Sequence, residues 1–126
     1  MRGVKLGAVL GLSLVLGACD WGPRGPGQLR GVVSSGAVPI GAIVLEVSGP
    51  GVRSFSDAGQ TRVFYMETQA DVYRVVLVAA NLESVRFRVT MDDVRSPPLT
   101  VSTVEAVDGN NEPIADLSGV FVELRR

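Results

Sequence analysis

Asp108-Gly109-Asn110-Asn111-Glu112 sets oxygen-bearing side chains at alternate positions, with Asp116 four residues on, a spacing from which a calcium loop can be built. The pattern lacks the sixth-place glycine and the twelfth-place bidentate acid of an EF-hand-like loop, so it favours a solvated hairpin turn. Asp92-Asp93 supplies two carboxylates, but acid/base or glycosidic chemistry needs them about 5 to 10 Å apart across a cleft and in different environments. Adjacent residues at a strand end point apart, and with Arg95 close by they read as a charged turn. Ser34-Ser35, Ser54 and Ser56 would need a base; the chain has no histidine, and its one lysine, Lys5, lies at the extreme N-terminus. No catalytic residue is assigned and the expectation is a protein that is not an enzyme. A single cysteine and no histidine leave no His/Cys metal set and no disulfide within the chain, so neither metal nor cofactor is expected.

Two surface features could bind rather than react. Arg86 and Arg88, with Arg74, could lay a basic stripe on an otherwise acidic domain, although a solvated sheet face is the commoner meaning of such a pattern. Of seven aromatic residues, Phe64 and Tyr65 are strand neighbours facing opposite ways, and one of them with Tyr73 or Phe121 could form an exposed strip for a sugar. Core filling is the competing use of those rings. The 12 cations and 13 acids give a net charge of −1, far from the basic excess that binding a phosphate backbone requires, so nucleic acid is not an expected partner.

Cys19 is the remaining reactive side chain, and its setting is distinctive. Arg2, Lys5 and the α-amine precede an uncharged eleven-residue run, Leu6 to Leu16, which ends in Gly17-Ala18-Cys19. As a helix this run covers about 16 Å, half the hydrocarbon thickness, so it reads as the core of a secretory signal rather than a membrane span. Leu16-Gly17-Ala18-Cys19 resembles the bacterial lipobox. The resemblance implies cleavage between Ala18 and Cys19, a lipidated Cys19 and a palmitate-bearing lipoprotein exported to the periplasmic or cell-surface side of a bacterial membrane. An ordinary signal peptide with a cysteine at the cleavage point, or a buried free thiol, is the alternative. Asp20 resembles the residue that retains some lipoproteins in the inner membrane, a rule that varies between bacterial groups. Removing residues 1–18 takes Arg2 and Lys5 but no acid, leaving a lysine-free chain of net charge −3.

Residues 19–27 follow as a tether: Asp20 to Gly27 holds three glycines and two prolines in eight residues, resisting helix and sheet alike. Trp21 could rest at the headgroup level. Residues 28–126 then form the folded domain. Short Val-rich segments punctuated by Gly, Pro, Asn and Asp predict strands over 28–34, 42–48, 52–56, 61–67, 72–79, 84–91, 99–107 and 119–124. Val85, Phe87, Val89 and Met91 alternate with Arg86, Arg88 and Thr90, marking a half-buried strand. Val75-Val76-Leu77-Val78 is apolar on both faces and is expected to be central. Val101, Val104 and Val107 recur by three, which predicts a β-bulge or a helical turn. The expected fold is all-β, a single antiparallel sandwich of seven or eight strands, with short antiparallel connections at Ser48-Gly49-Pro50-Gly51 and Asp108-Gly109-Asn110-Asn111.

The stretch from Gly31 to Leu45 is similar to the opening of the carboxypeptidase-regulatory-like, transthyretin-like sandwich, with Gly31-Val32-Val33, a glycine turn, and Pro39-Ile40-Gly41-Ala42-Ile43-Val44. There Pro39 and Gly41 would shape a corner and Ala42 would start a strand against a crowded core. The family's D-x-x-G becomes Asp57-Ala58-Gly59, and its small-Gly-x-Tyr becomes Ala70-Asp71-Val72-Tyr73 without the glycine. Residues 41–52, 73–78 and 117–122 also resemble short bacterial lipoproteins with cohesin-like or immunoglobulin-like sandwiches. Together these resemblances imply a non-catalytic, lipid-anchored envelope lipoprotein, structural or protein-binding, reaching the membrane through its anchor. A polysaccharide-binding module is the alternative.

Overall fold

The computed structural model describes residues 25–36, 38–79 and 85–126. Residues 1–24, which hold the expected signal segment, Ala18, Cys19, Asp20 and Trp21, lie outside them. Eight strands follow in order: β1 (Gly27–Ser34), β2 (Ile40–Ser48), β3 (Val52–Asp57), β4 (Thr61–Gln69), β5 (Val72–Ala79), β6 (Val85–Met91), β7 (Thr100–Asp108) and β8 (Phe121–Arg125). They form two four-stranded antiparallel sheets, ordered β3-β6-β1-β8 and β4-β5-β2-β7. The two sheets pack face to face as an all-β sandwich consistent with an immunoglobulin-like domain.

Period-two alternation decides which faces meet. Ile43, Leu45 and Val47 of β2, Val75 and Leu77 of β5, and Val85, Phe87, Val89 and Met91 of β6 are buried, while Arg86 and Arg88 face solvent. Each large apolar side chain removed from water contributes about 1.5–3 kcal/mol, and these residues form one contiguous core. β5 is internal to its sheet as expected, but among the described residues no layer lies over its outer face, and Val78 retains 38% exposure.

Chain connectivity departs from a series of hairpins. Only β4 and β5 are consecutive neighbours within a sheet; every other connection crosses between sheets. Ser48-Gly49-Pro50-Gly51 is therefore a corner between β2 and β3, with Gly49 and Gly51 at positive φ. Gly41 lies inside β2 at a bulge beside Asp108, where an added Cβ would meet the Asp108 carbonyl oxygen at 2.4 Å. Ala42 sits half-exposed away from the core rather than against it, because the buried residues of β2 are Ile40, Ile43, Leu45 and Val47. The three-residue valine spacing in β7 reflects a second bulge, between the Val44 and Leu45 pairings, which turns Val104 outward. The domain also begins before Gln28. Gly25 donates its N–H to Asp93 Oδ1 at 3.0 Å and accepts from Val94 N–H at 3.0 Å, so the last residues of the Gly/Pro segment are docked.

Candidate anion-binding face

Sheet pairing gathers arginines that the sequence keeps far apart. Arg30 on β1 stands directly opposite Arg88 on β6 and, on its other side, opposite Arg125 on β8. With neighbouring strands about 4.8 Å apart, three guanidinium-bearing residues share one row across the outer face of the β3-β6-β1-β8 sheet. Arg86 lies on the same face two residues from Arg88, and Arg126 follows β8. Together these arginines line a cleft of about 400 Å³ that also reaches Ala58 and Gly59 in the β3–β4 turn. Gly59, at φ 60°, lets the turn backbone approach closely: a Cβ there would fall 2.9 Å from an Arg86 guanidinium nitrogen.

Cations predominate on this face. Glu123 accepts a hydrogen bond from Arg125 Nε at 2.8 Å; that bond, followed by the guanidinium charge, holds the Glu123 carboxyl below its ordinary range and raises Arg125. Among the described residues no carboxylate lies within ion-pairing distance of the Arg30, Arg86 or Arg88 guanidinium. Like charges directly opposite in a sheet repel. The row is therefore a local cost in the free domain that an anion bound across it would relieve. Arg guanidinium groups present planar forks suited to carboxylate or phosphate oxygens.

Arg74 does not join this stripe. It belongs to the other sheet, where its guanidinium meets Glu46 Oε2 at 3.3 Å. Arg30 and Arg125 are the members that sequence reasoning missed; they lie on the first and last strands, and only register brings them beside Arg88.

The other flagged residues occupy turns. Asp93 Oδ1 accepts from Arg95 N–H at 2.9 Å as well as from Gly25, while Asp92 pairs with Arg53, so the two acids serve opposite sides of one turn. Asp108 Oδ1 accepts from Asn110 N–H at 2.8 Å and Glu112 N–H at 3.0 Å, closing its own loop with Asn111 at φ 63°. Asp116 accepts from Ser118, chiefly a side-chain and then a backbone bond, which lowers its carboxyl pKa in a separate turn. Ser35 is bonded to the Val38 carbonyl, and Ser54 and Ser56 lie on edge strand β3.

Among the described residues the aromatic side chains do not assemble into a strip. Tyr65 packs tilted and Tyr73 edge-on against Phe55, with ring centroids 5.2 and 5.4 Å away. Phe64 emerges on the outer face of its sheet, and Phe121 belongs to the opposite sheet. Tyr73 donates its hydroxyl to the Val52 carbonyl at 3.2 Å. Comparison with known proteins finds no matching family model, no matching curated protein and no matching solved structure.

Proposed function

We propose that this chain is a non-catalytic, lipid-anchored envelope protein whose sandwich is a binding module for an anionic surface of an envelope partner. The observation that carries the binding role is the Arg88–Arg30–Arg125 row, a concentration of like charge on a domain whose total charge is negative. The lipid anchor rests on Leu16-Gly17-Ala18-Cys19 and the charged and apolar residues before it. Six peptide steps separate Cys19 from Gly25, so an anchored domain stays within about 21 Å of its lipid at ~3.5 Å per residue. Two acyl chains at about 0.8 kcal/mol per buried methylene make such an anchor durable.

A relationship to carboxypeptidase-regulatory-like sandwiches is supported at one informative position. Asp71 stands where that family's motif carries glycine, and it adopts φ 61°, the conformation that favours glycine. The polysaccharide alternative loses its aromatic platform, and an acidic glycan would have to use the arginine row instead.

Labelled palmitate should enter the native chain and not Cys19→Ala; equal incorporation into both removes the lipid reading. For the binding face, cross-linked capture from the native envelope is compared between the unsubstituted chain and Arg30→Glu. Loss of a dominant partner from Arg30→Glu, with the fold intact by circular dichroism, is the expected result. Capture of the same partner by both places the contact elsewhere.

A further inference from the structure

Four strands stand at sheet edges, and three are guarded. β3 carries a bulge between the Val52 and Ser54 pairings, and β8 is five residues long with Glu123 and Arg125 in it. β7 is covered by the chain that follows it, through the Val107–Pro113 bridge and the bond from Ile114 N–H to the Ala106 carbonyl. Short length, charge, bulges and covering segments are the usual protections against edge pairing. β4 has none of them between Val63 and Met66, a run of Val-Phe-Tyr-Met without charge, proline or bulge.

The direction of its open hydrogen-bonding groups can be read. Val63 N–H donates to Asp57 Oδ1 at 2.8 Å and Thr61 N–H to the Ala58 carbonyl at 3.2 Å, both away from β5. Groups alternate along an antiparallel strand, so the Val63 carbonyl and the N–H and C=O of Tyr65 and Glu67 face the free edge. Phe64 and Met66, 55% and 66% exposed, stand on the outer face with half-buried Val76 beside Phe64.

We propose that β4 pairs antiparallel with β4 of a second copy of this chain, about a two-fold axis at Tyr65. A two-fold normal to the sheet keeps outer faces together, so residues opposite each other must both point outward or both inward. Centred on Tyr65, each Tyr65 N–H donates to the other copy's Tyr65 carbonyl, and each Glu67 N–H to the Val63 carbonyl. The Asp57 bond to Val63 N–H remains undisturbed. Phe64 lands opposite Met66 of the second copy on the outer face, twice over, covering the exposed apolar side chains with each other. This self-complementarity in bonding and in side chains selects a second copy over an arbitrary extended peptide.

Sedimentation of the full chain in detergent tests the pairing. Two chains per particle are expected for the unsubstituted protein. Tyr65→Pro, which deletes the edge N–H while sparing the β4–β5 ladder, should give one, and Tyr65→Thr, which keeps that N–H, should retain two. Phe64→Lys alone should give single chains, and adding Met66→Glu should restore pairs because opposite charges then meet across the axis. One chain per particle in the unsubstituted protein, or pairing that survives Tyr65→Pro, overturns the proposal. Failure of the charge pair to restore what Phe64→Lys removes overturns the Tyr65-centred register.

Discussion

Asp71 and Tyr73 sit two residues apart and bear on stability in different ways, one through backbone conformation and one through ionisation. Asp71 holds φ 61°, its N–H bonded to Glu67 Oε2 at 3.3 Å and its carbonyl accepting from Gly49 N–H at 2.9 Å. The left-handed conformation costs an L-residue about 1–2 kcal/mol, less for Asp than for branched residues. Asp71→Gly should therefore leave stability unchanged or slightly raised in urea unfolding, and Asp71→Val should lower it by about 1 kcal/mol or more. At Tyr73, burial and then the nearby Glu67 charge raise the phenol above its ordinary 10.0. The unfolded chain then loses its proton first. Between that pH and the folded pKa the unfolded state binds fewer protons, so Tyr73 makes stability fall as pH rises through this window. In a phenolate absorbance titration, the difference between the unsubstituted chain and Tyr73→Phe should show a step displaced above 10.0. A step at or below the ordinary value would contradict the buried, hydrogen-bonded placement.

At the scale of the strands, β1 and β6 depend on a close approach. Gly31 on β1 faces the ring of Phe87, and a Cβ at that position would fall 2.4 Å from it. Gly31→Ala should destabilise by about 1–3 kcal/mol through overpacking. Phe87→Leu alone should also destabilise, but the double variant should cost less than the two singly, since shortening the ring makes room for the methyl. Strictly additive losses in chemical denaturation would show that the two side chains do not meet. The alternation of β6 made its buried face legible in advance, and the dense valines of β5 marked an internal strand. The inner and outer faces of β4 were not legible, because Arg62, Phe64 and Met66 against Val63, Tyr65 and Glu67 mixes polar and apolar residues on both sides. An edge strand beyond the rim of the core has little burial to impose a pattern.

At the scale of the molecule, the arginine row couples stability to binding. Arg30→Glu places an acid between Arg88 and Arg125, so its melting temperature should exceed that of the unsubstituted chain even as the face loses its attraction for anions. Added sodium chloride should narrow that difference by screening the repulsion. An unchanged or lower melting temperature would mean that the three charges are too well solvated to interact. The sequence by itself determined the strand series, the all-β class and the turn roles of Asp92, Asp93 and Asp108, since side-chain alternation and turn chemistry are local. It also carries the Cys19 reading in contiguous residues. Tertiary structure alone decided that Arg88 and Arg125 flank Arg30 on one sheet face, that Arg74 belongs to the other sheet, and that β4 is the unguarded edge. Those facts follow from strand order and register, which are set by packing between residues far apart in the chain rather than by local pattern.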